Sequence, residues 1–440
     1  SGSANTAVGA AALFANTTGA LNTAMGSGAL IANTTGASNT AVGAGALDEN
    51  TTGGNNVALG ADALSVNTTG DANTAIGEDS LKANTTASNN TAVGRRAMFA
   101  NTTGTDNVAF GHNALDANTT ANNNTAIGHD ALTANTTGTG STAVGSASLD
   151  AVTTGDYNTG VGFTSGSKIT TGTRNVALGA FANQEGTTGD DNTYVGYAAG
   201  AATTTASDNT AVGKSALAAN TTGTLNTAIG QNAGAAITTG IRNTTVGAAS
   251  LDAEVAGHYS TAMGYGALSV QSNSSSTDVY NTAVGYLAGA VVTTGVNNTF
   301  IGGLSGDANT TGGANTSVGM SALTANTTAS NNTAVGKSAL TANTTGDTLV
   351  AVGVNALAAN TTAADNVAVG VNALFTNTTG ASNTAMGKDA LKVNTTGANN
   401  VAVGGLALDA NTTGASNVAV GKLSLSANTT ADGNSAFGHE

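Results

Sequence analysis

Apolar and polar positions recur along this chain with a period of seventeen residues. Counting each repeat from its first Asn, as at Asn5, the fourth place is apolar in every copy: Val8, Met25, Val42, Leu59, Ile76, Val93, Phe110, Ile127 and onward to Phe437. The ninth is usually Leu or Met, as at Leu13, Leu30, Leu47, Leu64, Leu81 and Met98. A helix would carry apolar residues at i, i+3, i+4 and i+7 over about ten or more positions, and no such stripe exists. Short β-favouring tetrads such as Thr6-Ala7-Val8-Gly9, set between Gly and Asn turn signals, predict brief strands instead, two or three to a coil.

The opening phrase Asn-Thr-Ala-aliphatic-Gly holds its spacing from Asn5 to Ser260, lengthens once by four residues to reach Asn281, and then runs to Asn434. All 26 copies have Gly at the fifth place, from Gly9 to Gly438. A fixed short period over a whole chain is the mark of a solenoid and overrides a domain count made from length. The expected fold is all-β: a parallel β-solenoid (β-roll or β-helix) with one coil per repeat and about 26 coils, forming one continuous body over residues 1–440. Regular repeats fill 5–140 and 307–440. Divergent, Tyr-containing repeats fill 141–306, with an insertion near 271–278. At about 4.8 Å per coil, the stack would extend on the order of 125 Å.

Places four, nine and twelve are predicted to face inward. In several coils the ninth-place residue is Gly (Gly166, Gly200, Gly234, Gly289, Gly306), and in three of these the twelfth place turns apolar, at Ile169, Ile237 and Val292. Volume lost at one place and regained at another keeps a small core filled. Gly306 with Asn309, and Val152 beside Leu149, do not follow the trade. An inward twelfth place would stack Asn16, Asn33, Asn50, Asn67, Asn84, Asn101, Asn118 and Asn135 as an internal amide ladder, each amide satisfied by its neighbour one coil away.

Composition narrows the function classes. Aromatics are 3% and charged residues 8%, so neither a large aromatic core nor an ion-pair network carries the fold. Pro is absent, as expected where every coil must bond to the coils on either side. There is no Cys, hence no disulfide framework and no Cys-based metal site. No apolar run reaches about 18 residues, so no membrane insertion is expected. A net charge of −14 argues against nucleic acid and anionic membrane surfaces.

The phrases Asn-Thr-Ala-Val-Gly-x-x-Ala-Leu-x-x-Asn-Thr-Thr-Gly and Asn298-Thr299-Phe300-Ile301-Gly302, with the Ala199-Gly200 and Ala233-Gly234 variants, resemble repeats of bacterial surface and phage tail-fibre proteins. More distantly they resemble the head repeats of YadA-like trimeric autotransporter adhesins. The resemblance spans nearly the whole chain. It implies a left-handed roll, trimeric assembly, and binding to host or matrix surfaces. It differs in period, since those heads use about fourteen residues per coil, and no binding residue is carried over. The expected function is therefore a non-enzymatic extracellular fibre or adhesin segment at a cell or virion surface. Its expected partners are further copies of itself, as a filament or homotrimer, and host-surface or matrix glycans or proteins. The alternative is an ice- or surface-binding protein that uses Thr ladders.

Candidate chemistry is sparse. Asn-Thr-Thr is formally a glycosylation sequon, but the inward reading of its Asn favours the ladder. The adjacent Thr residues point to opposite sides by alternation, which argues against a flat Thr face. His112 and His129 share a place in consecutive coils with Asp130 beside the second. Two stacked imidazoles can hold a metal, yet the sequence supplies no third clear ligand and the pair reads as solvated turn residues. Arg95-Arg96 reads as solvated. His258 near Ser260 is the one pair that suggests nucleophilic chemistry, and sequence adjacency does not make a triad. No catalytic, metal or cofactor site is assigned. All seven Tyr fall in the divergent stretch: Tyr157, Tyr194, Tyr197, Tyr259, Tyr265, Tyr280 and Tyr286. Exposed Tyr is common on recognition surfaces, and these are the candidate binding residues. The repeat also begins by Asn5 and runs to Gly438 without capping segments, so the ends are expected to stack on other copies or to join further domains.

Overall fold

The computed structural model describes residues 2–439 and is a parallel β-solenoid with one coil per seventeen residues and, among the described residues, no helix. Its contacts divide into two compact units, Ser1–Thr222 and Gly223–Glu440. In the first unit, three-residue strands run from Thr6–Val8 and Thr23–Met25 to Thr210–Val212, each pairing in parallel with its neighbours within the unit. The register joins equivalent places, Thr6 to Thr23 and Val8 to Met25. The second unit repeats the scheme from Thr227–Ile229 to Ser435–Phe437. There the lengthened coil adds a two-stranded parallel sheet of Gly257–His258 and Thr277–Asp278. Gln271 keeps the twelfth place, fully buried, so the added residues lie beyond it.

Each regular coil thus contains one strand, where two or three were expected. The reason lies in the backbone. Places seven, nine and seventeen take positive φ, as at Asp79 (59°), Leu81 (51°) and Asn89 (63°). Left-handed residues turn the chain and end any extended run, so the rest of the coil is a series of turns. The fifth place is Gly for two reasons. At Gly128 φ is +138°, and an added Cβ would lie 2.5 Å from the carbonyl oxygen of Gly145 one coil on.

The fourth place faces outward, against the sequence expectation. Val8, Met25, Leu59 and Phe110 are 56%, 44%, 46% and 57% exposed, while the third-place Ala24, Ala41, Ala58 and Ala75 are fully buried. Alternation within a strand forces the choice. The first-place Asn is inside, so place three is inside and places two and four are out. Where the ninth place is Leu or Met, only a small residue fits at place three, since consecutive strands and that side chain converge there.

The ninth and twelfth places do face inward. Leu30, Leu47, Leu64 and Leu81 are fully buried, as are Asn33, Asn50, Asn67 and Asn84. The amide ladder exists. Asn50 Nδ2 donates to Asn33 Oδ1 at 2.9 Å and to the carbonyl of Gly53 at 3.0 Å, and every rung from Asn33 to Asn135 repeats the first bond at 2.7–3.2 Å. At Asn135 the ladder meets Val152, and Asn135 Oδ1 is left without a partner. A second ladder, which sequence reading missed, runs through the first place. Asn39 accepts the Asn56 backbone N–H at 2.9 Å, while Asn39 Nδ2 donates to the Gly53 carbonyl at 2.9 Å. The signal was present, since Asn opens nearly every repeat.

The Gly variants of place nine are volume trades, as expected, and the structure supplies the missing partners. A Cβ on Gly166 would meet Ile169 and Leu149. Gly200 lies under the Tyr194 ring and Gly306 under the Phe300 ring, so a third-place aromatic fills the space and Asn309 can stay in the ladder. Beside Leu149, the third place of the next coil is Gly160, whose Cβ would lie 2.8 Å from Leu149 Cγ, and this makes room for Val152.

Candidate functional site

Three outward rows follow from this register. The outer sheet face presents place two, mostly Thr with Val at Val57, Val108, Val176, Val350, Val367, Val401 and Val418 and Ser at Ser435, and place four, always aliphatic, Met or Phe. No charged residue occupies either row. Across the thirteen coils of a unit, strands about 10 Å long spaced about 4.8 Å apart give roughly 600 Å² of uncharged face. That is at the upper end of what a monomer leaves open.

The sixth place flanks this face and changes most from coil to coil. In the first unit it reads Glu78, Arg95, His112, His129, Ser146, Phe163, Ala180 and Tyr197, and in the second Tyr265, Tyr286, Gly303, Met320 and Lys337. Tyr197, Tyr265 and Tyr286 are 53%, 57% and 58% exposed. Tyr265 and Tyr286 stack at 5.8 Å with an interplanar angle of 14°, while Tyr197 meets Phe181 edge-on at 5.6 Å, as Phe181 meets Phe163. Parallel Tyr rings one coil apart follow from the sheet register.

The seventeenth place holds a second set. Tyr259 and Tyr280 stack at 5.0 Å, Arg242 Nη1 donates to Tyr259 Oη at 3.0 Å, and the Arg242 guanidinium lies 5.8 Å from that ring. Tyr157, 62% exposed, packs its ring edge on Gly140 and stands apart from the other Tyr residues.

Tyr194 is corrected outright. It occupies the third place, is fully buried, and is a core residue rather than a binding one. Its hydroxyl accepts from Thr203 Oγ1 at 3.0 Å and donates to Asn192 Oδ1 at 3.3 Å, and burial pushes its pKa up to about 12.

The adjacent Thr pair is split, as alternation requires. Thr34 is half-buried and donates Oγ1–H to the carbonyl of Thr51 at 3.0 Å, whereas Thr35 is exposed. The fourteenth place therefore forms a file of exposed Thr within each unit, from Thr18 to Thr222 in the first and, in the second, at Thr239 and from Thr294 to Thr430.

The His258–Ser260 pair does not form. Ser260 Oγ accepts from Gln271 Nε2 at 3.0 Å, and His258 Nε2 lies 2.7 Å from Ser276 Oγ instead. The Ile241 backbone N–H donates to His258 Nδ1 at 3.1 Å, so in the neutral ring Nε2 carries the proton and donates to the Ser. That direction is opposite to the one a general base needs. Nearby, Glu254 takes the twelfth place of its coil and is fully buried. Oε1 accepts four backbone N–H groups (Val255, Ala256, Gly257, Asn273), and Oε2 accepts the side-chain amides of Gln271 and Asn273. These bonds hold the lengthened coil in place.

His112 and His129 do stack, with ring centroids 5.2 Å apart and planes 12° from parallel. Asp130 Oδ2 lies 3.0 Å from His129 Nδ1, and Arg95 Nη1 lies 3.4 Å from His112 Nε2. A recess on the coil that begins at Asn417, lined by Leu423, Leu425, Ser426, Ala427 and Asn428, holds no titratable side chain. No protein-family model and no curated protein matches this chain.

Proposed function

We propose that this chain is a non-enzymatic structural segment of a bacterial or phage surface fibre, which associates side by side with further copies through its outer sheet face. The observation that supports the reading is the uncharged double row at places two and four, where Met25, Phe110, Ile127 and Val161 in one unit and Ile229, Met263, Ile301 and Met386 in the other are 39–57% exposed. A face of roughly 600 Å² per unit reaches the lower end of the about 600–1,000 Å² per partner that specific interfaces bury. The sixth-place row beside it, with Tyr197, Tyr265 and Tyr286 exposed, is the part of the surface that varies, and we assign host-surface or matrix recognition to it.

The second reading, binding to ice or another ordered surface, has the exposed Thr file at place fourteen in its favour. At place two, however, Val replaces Thr in several coils, so the shared methyl shape is kept and the hydroxyl is not. Phe110 and Met25 also roughen the face. Both features favour packing by shape over a hydroxyl lattice.

Analytical ultracentrifugation of the whole chain, alone and with Val144→Lys and Val161→Lys combined, tests the proposal. The expected result is an oligomer that dissociates on substitution. A wild-type chain that stays monomeric at all attainable concentrations would defeat it. Thermal hysteresis abolished by substituting Thr18, Thr35 and Thr52 would establish the rival.

A further inference from the structure

We propose that His112 and His129 form a binding site for a divalent transition ion of the Zn²⁺ or Cu²⁺ type, with Asp130 as the orienting carboxylate. The site arises from the coil geometry. Equivalent places in consecutive coils lie one strand spacing apart, so two sixth-place His residues are held side by side with their rings nearly parallel, 5.2 Å between centroids. One ligand atom each from His112, His129 and Asp130 lie within 4.8 Å of one another. A tetrahedral ion with bonds of about 2.0–2.1 Å to nitrogen holds two imidazole nitrogens about 3.4 Å apart. The closure needed is therefore on the order of 1 Å, which rotation about side-chain bonds supplies without moving the backbone. The His129 side chain is 59% exposed, which leaves room for that rotation.

The protonation pattern suits an ion. Asp130 Oδ2, 3.0 Å from His129 Nδ1, selects the tautomer with the proton on Nδ1 and turns the Nε2 lone pair outward, the arrangement in which a carboxylate supports a metal-binding imidazole. Asp130 is itself held, because its Oδ1 accepts from Asn113 Nδ2 at 3.1 Å. The Arg95 guanidinium can only donate, so His112 Nε2 is the acceptor and its buried, unpartnered Nδ1 carries the proton, which leaves the Nε2 lone pair as the ligand atom on this ring.

The Arg95 guanidinium, 3.4 Å from His112 Nε2, is the group that opposes a cation. Its side chain is 55% exposed and already shares itself with Glu78 Oε2 at 3.3 Å, so it has an anionic partner one coil back to which it can withdraw. The donor set is two imidazole nitrogens with one neighbouring carboxylate, and water completes the shell. That set matches Zn²⁺ and Cu²⁺, whereas Ca²⁺ and Mg²⁺ demand oxygen ligands. The sixth place is otherwise varied, and an ion here would fix one stretch of the row.

Calorimetric titration of the full chain with ZnCl₂ and with CuSO₄ tests the site. One ion per chain is expected, with at least a tenfold loss of affinity in His112→Ala and in His129→Ala. Asp130→Asn should weaken binding about 10–100-fold, as loss of a supporting carboxylate does. Electron paramagnetic resonance of the Cu²⁺-loaded chain should report two nitrogen ligands, falling to one in either His variant. Unchanged circular dichroism would confirm that these surface substitutions leave the fold intact. Absence of saturable binding, binding undiminished in the double His variant, or equal affinity for Mg²⁺ would each overturn the assignment.

Discussion

The ninth-place Leu meets two demands that seldom coincide, full burial and a φ near +50°. Leu81 is fully buried at φ 51°. Left-handed backbone costs a branched residue about 1–2 kcal/mol. Burying the side chain returns about 1.5–3 kcal/mol, so Leu is retained where space exists for it. Where a ring already fills that space the return vanishes, and Gly removes the strain as well. Restoring the consensus at such a position should therefore harm the protein. Gly289→Leu would place its Cβ 2.8 Å from the Phe300 ring, and we expect a loss of about 1–3 kcal/mol by chemical denaturation. A stable Gly289→Leu chain would show that the trade has been misread. Tyr194 gives a second expectation. Burial holds its phenol proton until about pH 12, above the ordinary 10.0. A raised folded-state value means that its contribution is complete below pH 10 and is lost as pH climbs through 12. Spectrophotometric titration should show a late-ionising phenol that is absent from Tyr194→Phe.

At the scale of the coil, a fifth-place Gly with a coil stacked after it, such as Gly128, is irreplaceable for steric reasons, and the exposed fourteenth-place Thr is dispensable. Gly128→Ala puts a methyl group against the Gly145 carbonyl at a φ that L-residues avoid, and should lower the melting temperature and open a protease-sensitive site at that coil. Thr120→Ala touches only solvent and should stay within about 0.5 kcal/mol of wild type. The tenth-place carboxyls of Asp150, Asp252, Asp307 and Asp409 are raised by burial. Their contribution is present below the unfolded value of 3.8 and falls away as pH rises through the folded one. Asp150→Asn should accordingly melt higher than wild type at pH 7, with the gap closing in acid. Equal melting temperatures at pH 7 would count against this. Much of the coil was legible in the sequence because period, invariant Gly and the Leu and Asn places are composition signals. The inward third place was misassigned because the eye follows the larger residue, Val8 over Ala7, whereas a tight coil selects the smaller one for its interior. Strand count was overestimated because nothing in a Leu announces a positive φ. The stacked His pair was visible, but the Asp130 contact and the orphaned Nδ1 needed coordinates.

For the whole molecule, charge and sameness matter most. With a net charge of −14 and an isoelectric point near 4.4, copies repel at neutral pH. Side-by-side association through an uncharged face should therefore strengthen as pH falls toward 4.4 or as salt is added, and light scattering would measure it. A further consequence arises from the ladder's interruptions. A chain of near-identical coils has a copying problem: looping out one repeat and closing the stack behind it preserves almost every contact, so the regular coils do not record their own order. The irregular ones do. Glu254 is tolerable only if the coil that follows brings the amides of Gln271 and Asn273 to its carboxylate, and the Phe300 ring fits only above Gly289. These pairs work like keyed pins in a connector, each accepting one neighbour and rejecting the rest. Replacing residues 243–280 with regular repeats should leave a stable solenoid that folds into a mixture of slipped forms, which limited proteolysis would resolve as fragments differing by one repeat in length.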